Sequence, residues 1–228
     1  MLSSAELSQK MNGRDASLRP FGFVHPPAWI RSKVTSRGSK VTSPGDRAGY
    51  ALAMARYAAF LRGVSPMNLK MPALKGALEA GGFGDVKTLL SSGNVVFSGR
   101  RAADAVVERK LEAAIETHAG KKFGVIVRSL EDLQELLGAE PYQAFDLPPR
   151  SKRVVTLLRS PPAEKLKLPI ERAGARILLL RGRDLLSAYV VSEKGPVFMS
   201  LIERACGKDV TTRTWETLQK VARAGALG

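Results

Sequence analysis

The loop that follows the first predicted strand carries polar side chains of several kinds within nine residues. They provide a guanidinium fork, a hydroxyl, an amide and an ammonium group: Arg62, Ser65, Asn68 and Lys70. Such donors suit an anionic group, and Pro72 predicts that a helix begins beside them and adds the partial positive charge of its N-terminus. The alternative is structural, with Arg62 paired to a carboxylate, Asn68 forming a turn and Gly63 meeting a backbone constraint.

Two other segments supply candidates for the same site. Ser92 and Asn94 flank Gly93 in a tight connection predicted between two extended runs, and we expect this hairpin near the first loop. Arg213 and Trp215 are expected on a ligand rim, or structurally as the start of a last helix that Trp215 anchors onto the sheet. The predicted anion-binding residues are therefore Arg62, Ser65, Asn68, Lys70, Ser92, Asn94, Arg213 and Trp215.

Residues that usually carry catalysis or bind metals are scarce. The chain has two histidines, His25 and His118, and one cysteine, Cys206, so four His or Cys ligands cannot be assembled around a metal. His118 and Cys206 each end an apolar helical stripe and are interpreted as structural. No acid–base or nucleophile–base pair is visible. The sequence thus predicts no catalytic residue, metal or cofactor, and it leaves open whether the chain is an enzyme.

Apolar periodicity and turn residues predict the elements that must position these side chains. The first group comprises strand 56–61, a helix opened by Pro72, strands 86–90 and 94–98, helix 107–118 and strand 124–128, followed by a helix capped by Ser129. The second group comprises strand 153–158, a short helix opened by Pro161 and Pro162, strands 176–180 and 185–191, helix 196–206, strand 209–213 and an extra helix over 214–224. The order strand, helix, two strands, helix, strand therefore occurs twice.

This repeated order predicts an α+β fold of two tandem ferredoxin-like βαββαβ halves, with antiparallel sheets, helices on one face of each sheet and an extra C-terminal helix. The predicted units are residues 54–140 and 152–228, joined by a Pro-rich linker over 141–151. Residues 1–53 contain eight Ser, five Gly and four Pro without an apolar period, which predicts a disordered basic leader. Because Met54 stands directly before the first strand, a native start there is a further hypothesis.

The formal net charge is +15, of which +10 remains outside residues 1–53. Such a surface attracts nucleic acid or phosphorylated metabolites and also keeps a protein soluble. The predicted strands offer few aromatic side chains, which disfavours stacking of RNA bases on a sheet. No apolar run approaches the roughly 20 residues of a membrane span, and a single cysteine allows no internal disulfide. We therefore predict a soluble cytoplasmic protein with no membrane association.

Three ordered motifs resemble a known family, the domain of unknown function numbered 1697. They are Arg62-Gly63-Val64-Ser65-Pro66-Met67-Asn68 followed by Lys70-Met71-Pro72, then Ser92-Gly93-Asn94-Val95-Val96-Phe97, and Thr211-Thr212-Arg213-Thr214-Trp215. The resemblance runs from about Tyr57 to Ala224 and implies the double ferredoxin-like architecture without implying an activity. In the first loop, Ser65-Pro66-Met67-Asn68 replaces the glycine-rich stretch of the commoner family pattern, which weakens a phosphate cradle built on glycines.

These observations lead to a functional prediction with open alternatives. The first is binding of an anionic small ligand or partner group through the polar cluster near the first strand–helix loop. The alternative is weak, sequence-independent nucleic-acid binding driven by positive charge, which predicts strong salt dependence. Self-association through sheet edges or Trp215 is a further alternative, and the oligomeric state stays open.

Overall fold

The structure is a computed structural model that describes residues 54–191 and 197–227. The predictions made for residues 1–53, a disordered leader and a start at Met54, fall outside this range. The described part is a mixed α+β fold with nine strands and five α-helices. In chain order these are β1 Met54–Leu61, α1 Met71–Ala80, β2 Gly84–Leu89, β3 Asn94–Arg100, α2 Asp104–Ala119, β4 Val125–Ser129, α3 Leu130–Gly138, β5 Lys152–Leu158, β6 Ile170–Arg172, β7 Ala175–Arg181, β8 Asp184–Tyr189, α4 Val197–Cys206, β9 Val210–Thr214 and α5 Trp215–Ala226, with a 3₁₀ helix at Pro141–Ala144.

The first sheet is antiparallel, with the strand order β2-β3-β1-β4. Its central strand β1 is apolar on both faces, because Tyr57, Ala59 and Leu61 point to one side while Ala58 and Phe60 point to the other. A strand of this kind must be covered on both sides.

The second sheet is also antiparallel, with the order β6-β7-β8-β5-β9. The helix predicted after Pro161 and Pro162 is wrong, because residues 159–169 form no regular element and the short edge strand β6 follows them. The physical reason is the spacing of Leu166, Leu168 and Ile170, which all pack against the outer core of this sheet. Apolar residues two apart share a side of an extended chain and not of a helix.

Helices cover both faces of the first sheet, so the prediction of helices on one face is wrong there. One face packs against α1 and α2 in a core that includes Leu74, Leu78, Leu111 and Ile115. The opposite face packs against α3 and α5. His118, predicted within the stripe of α2, is exposed, whereas Glu108 on the same helix is buried.

A third group of buried side chains joins the two sheets in one shared core. It contains β1 and β3 residues such as Phe60 and Val96, β5 residues such as Leu157, and Trp215 and Leu218 of the last helix. The extra C-terminal helix predicted from the sequence is present, and it packs against β1 and β3 as well as β5 and β9. It therefore connects the two sheets.

In residues 54–191 and 197–227, no helix has the length and apolar character needed to cross a bilayer. The same residues contain no group of three or more His, Cys, Asp or Glu side chains suited to hold a metal ion.

Candidate functional site

The loop between β1 and α1 is held by its own side chains. Asn68 accepts a hydrogen bond at Oδ1 from the Ser65 N–H at 2.8 Å and donates from Nδ2 to the Gly63 carbonyl at 2.6 Å. Gly63 has φ +66°, a conformation that favours glycine. The turn that the structural alternative assigned to Asn68 and Gly63 is thus present.

Arg62 is also occupied by the protein. Its Nη1 donates to Asp209 Oδ1 at 2.7 Å, and its Nη2 donates to the main-chain oxygen of Lys208. The pair is open to solvent, because the Arg62 and Asp209 side chains are 35% and 58% exposed. Arg62 therefore ties the first loop to the segment before β9 through an ion pair that is partly screened by water.

Arg213, Asn94 and Ser92 are brought together at the end of β1. The Arg213 Nε donates to Asn94 Oδ1 at 2.6 Å, and the Asn94 Nδ2 donates to Ser92 Oγ at 3.0 Å and to the Leu89 carbonyl at 3.1 Å. Asn94 is fully buried. The hairpin predicted near the first loop does lie there, since the Leu61 N–H donates to the Gly93 carbonyl at 2.8 Å.

All five N–H groups of Arg213 are satisfied by neutral oxygens. Besides Asn94, the acceptors are Thr211 Oγ1 and the carbonyls of Thr212, Leu61 and Ser92, at 2.8 to 2.9 Å. Burial lowers the pKa of Arg213 to about 10, so the guanidinium is still charged at neutral pH. A ligand could use Arg213 only by displacing these bonds, and its observed role is to attach β9 to the first sheet.

Trp215 lies apart from this cluster. It is buried, and its ring meets Tyr142 edge to face with centroids 5.0 Å apart. The Thr214 side chain accepts from the Thr217 N–H and so caps the last helix, whose start was predicted at this point of the chain. The cavity beside Trp215 is lined by the segment 140–153 and not by Arg213, so the two residues do not share one rim.

Residues 54–182 match the profile of the family described as "Protein of unknown function (DUF1697)", and this match covers more than half of the chain. The chain belongs to this family. The matched span contains the first two motifs named above and ends before Thr211. The DUF1697 fold is similar to the solved structure of the conserved bacterial protein SP0830 from Streptococcus pneumoniae, with 22% identity and a TM-score of 0.55 over 75% of this chain and 99% of that one. This likeness supports the fold alone, and no curated protein matches the chain.

The DUF1697 chain also carries an ionic cluster that the sequence analysis missed. Arg159 bonds to Glu112 Oε1 at 2.5 Å, Asp209 Oδ2 at 3.0 Å and Glu108 Oε2 at 3.4 Å. It follows β5 directly, just as Arg62 follows β1, and both contact Asp209. Superposing the two predicted strand orders could have revealed this correspondence.

Glu108 is the buried member of this cluster. Its Oε1 accepts from the Val127 N–H at 2.9 Å. Burial raises the pKa of Glu108, while that hydrogen bond and the positive charge of Arg159 oppose the rise. The carboxylate therefore joins α2 to the edge strand β4 and to the second sheet.

A second missed contact links β4 to the β7–β8 turn. Arg128 donates from Nε to Asp184 Oδ1 at 2.8 Å and from Nη2 to the carbonyls of Leu158 and Arg183. Burial raises the pKa of Asp184, and Arg128 opposes that rise. Cys206, by contrast, is half-buried, and burial raises the pKa of its thiol, which disfavours the reactive thiolate.

Three exposed lysines belong to the first loop or to segments that contact it. Lys121 Nζ donates to the Asn68 carbonyl at 2.8 Å, the main-chain oxygen of Lys208 accepts a hydrogen bond from Arg62, and Lys70 lies at the end of the loop, immediately before α1. None of these three ammonium groups forms an ion pair with a carboxylate of the described residues. The loop is thus fixed by Asn68, and the lysines beside it carry positive charge that no carboxylate of the described residues neutralises.

Proposed function

We propose that this DUF1697 protein binds an anionic small molecule, or an anionic group of a partner, at the lysine surface around the first loop. We define the lysine surface as Lys70, Lys121 and Lys208. The observation that carries the proposal is that these three exposed ammonium groups have no carboxylate partner in the described part of the chain and border a loop held by Asn68.

In this proposal, some of the predicted site residues hold the loop in place and others contact the ligand. Arg213, Asn94 and Ser92 hold the loop in place, because their polar groups already have hydrogen-bond partners within the protein. To reach an incoming anion, Arg62 must give up its bonds to Asp209 and to the Lys208 carbonyl. The first of these is an exposed ion pair, which contributes only about 0 to 1 kcal/mol. The start of α1 at Met71 adds a partial positive charge.

Removing the charge of the lysine surface tests this function. Wild type and a Lys70→Gln, Lys121→Gln, Lys208→Gln variant are titrated calorimetrically with phosphate, citrate and phosphorylated metabolites. We expect binding by the wild type and at least about tenfold weaker binding by the variant. Lys75→Gln is the control, because Lys75 already pairs with Glu79 on α1. Equal affinities of wild type and triple variant, or no binding by the wild type, would refute the proposal.

Nucleic-acid binding is the second candidate, favoured by the charge of +10 outside residues 1–53. Both faces of the first sheet are covered, so bases have no stacking platform on it. Binding to a single-stranded oligonucleotide that falls steeply with salt, without any response to small anions, would favour this alternative.

We also propose that the fold consists of two ferredoxin-like units, residues 54–140 and 152–228, joined by the linker 141–151. The strand order β2-β3-β1-β4 and the equivalent order β7-β8-β5-β9 support this interpretation. In the second unit, β6 takes the place of the first helix. Action in the cytoplasm is part of the same proposal, because the single Cys206 gives no sign of an oxidising compartment.

A further inference from the structure

A cavity of about 420 Å³ lies beside Trp215, and its lining includes no residue of the lysine surface. Its walls come from the segment that joins the two sheets, from Arg153 on β5 and from the first residue of α5. Its volume falls within the roughly 300 to 1,000 Å³ of small-molecule sites. The function proposed for the lysine surface does not use it.

One side of this cavity is apolar and is supported from behind by two rings, Tyr142 and Trp215, which are themselves only 5% and 3% exposed. Tyr142 and Trp215 are fixed edge to face, and the Tyr142 hydroxyl donates to the Val154 carbonyl at 2.6 Å. The half-buried side chains of Phe145 and Leu147 provide the apolar surface that a ligand can reach. Side chains that a rigid support already holds in place lose little freedom when a planar ligand packs against them.

The other side of the cavity carries two guanidinium groups that are available to bind an anion. Arg153 stands 5.9 Å from the centroid of the Tyr142 ring, and its ion pair with Glu216 is long, at 3.4 Å, between side chains that are 43% and 57% exposed. Arg150 also lines the cavity and is exposed. A weak exposed pair gives way readily to an anion that Arg153 can bind in a bidentate manner.

Carboxylates complete the lining. Glu140 accepts a hydrogen bond from Gln143 at 2.5 Å, and Asp146 is exposed at the cavity. These carboxylates place hydrogen-bond acceptors in the same cavity as the two arginines. Its polar groups therefore suit a ligand that has both an anionic group and N–H or O–H donors.

The backbone around the cavity is strained. Glu140 has φ +43° and Arg150 has φ +66°, although neither is glycine. Both residues line the cavity, and they lie at the two ends of the segment 140–150. They are two of the five non-glycine residues with positive φ in the described part of the chain. Strain of this kind is concentrated at ligand-binding segments.

We propose that the cavity beside Trp215 binds a small molecule that combines a planar ring with an anionic group, of which a nucleoside monophosphate is an example. The ring packs against Phe145 and Leu147 beside the buried Trp215, Arg153 binds the anionic group, and the carboxylates accept hydrogen bonds from the ring or sugar.

The experiment uses the full chain with Trp29→Phe, which leaves Trp215 as its only tryptophan. Adenosine monophosphate, adenosine and inorganic phosphate are titrated separately while Trp215 emission is recorded, and calorimetry measures each affinity. We expect adenosine monophosphate to change the emission and to bind at least about tenfold more tightly than adenosine or phosphate alone.

Arg153→Gln should weaken binding of adenosine monophosphate about tenfold and leave binding of adenosine unchanged. Arg172→Gln, on the exposed edge strand β6, is the control and should bind like the parent. Near-ultraviolet circular dichroism checks that the variants keep the packing of Trp215.

Two outcomes would overturn the cavity proposal. The first is the absence of any emission change and binding heat with adenosine monophosphate. The second is binding that survives Arg153→Gln but is lost when Lys70, Lys121 and Lys208 are replaced, because the ligand would then lie on the lysine surface. Binding that survives the lysine replacements but not Arg153→Gln supports the cavity, whatever the fate of the first proposal.

Discussion

At the scale of single residues, Arg213 and Arg56 show how differently two arginines of one fold are satisfied. Every N–H of Arg213 meets an oxygen within the protein. In Arg56, on β1, Nε and Nη2 are buried and have no hydrogen-bond partner in the described part of the chain. A buried donor without a partner costs free energy, whereas a satisfied one contributes to stability.

We expect Arg213→Met to lower the free energy of unfolding by about 2 kcal/mol, because it leaves Asn94 and several carbonyl oxygens without their donor. Arg56→Met is the matched comparison and should leave the free energy of unfolding unchanged or raise it by up to about 1 kcal/mol. Urea unfolding of both variants measures the difference. A larger loss for Arg56→Met than for Arg213→Met would contradict this assignment.

Glu108 gives a prediction about pH. Its pKa is raised by burial above the ordinary 4.5, so the folded state binds its proton more readily than the unfolded state does. For an acid of this kind, stability increases as the pH falls toward the raised pKa and is lost as the pH rises above it.

The wild type should therefore gain stability relative to Glu108→Gln when the pH is lowered from about 7 to about 5. Glu116→Gln is the control, since Glu116 is exposed on the same helix and pairs with the exposed Lys122. Urea unfolding at both pH values tests the sign. The prediction is wrong if the free energies of unfolding of wild type and Glu108→Gln differ by the same amount at both pH values, or if the wild type loses stability relative to the variant as the pH is lowered.

At the scale of elements, two glycines of the first helical layer have opposite roles. Gly81 ends α1 where a Cβ would lie 2.6 Å from the Ala114 Cβ of α2, whereas a Cβ at Gly76, inside α1, would meet nothing within 4 Å. Gly81 thus permits the close approach of the two helices, whereas the glycine at position 76 only lowers the helix propensity of α1.

Gly81→Ala should destabilise the protein by about 1 to 3 kcal/mol, because α1 and α2 must move apart. Gly76→Ala should stabilise it by about 0.5 to 1 kcal/mol through helix propensity. Thermal unfolding compares the two with the wild type. Equal shifts in the same direction would show that the helix contact is not what requires Gly81.

At the scale of the whole molecule, the shared core makes the two sheets depend on each other. The inner face of the first sheet, with Phe60 and Ile126, is buried by α3 and by α5, and α5 belongs to the second half of the chain. Separation of the halves would expose this apolar face to water.

Fragments 54–151 and 152–228 should therefore fail to unfold cooperatively when each is produced alone, and should regain a cooperative transition when produced together. Circular dichroism during urea titration provides the measurement. A cooperative transition in either isolated fragment would mean that the halves are independent domains.

The sequence by itself determined the local elements and the family. Alternation on the strands, apolar stripes on the helices and the turn residues around Gly63 and Gly93 are patterns over a few positions, and they predicted most elements to within a few residues. The exception after Pro161 arose where prolines suggested a helix start but the leucine spacing was extended. The scarcity of histidine and cysteine was equally readable from the chain.

Only the tertiary structure decided which long side chains are free. Arg213 reaches acceptors on Asn94 and Leu61 that are 119 and 152 residues away, and Arg62 reaches Asp209 across 147 residues. Local patterns specify which face of an element is apolar, but not which carboxylate or carbonyl a flexible polar side chain will meet when two sheets pack together. For that reason most of the predicted anion donors are bonded within the fold, whereas the grouping of Lys70 with Lys121 and Lys208, and the cavity beside Trp215, could be recognised only from the packing.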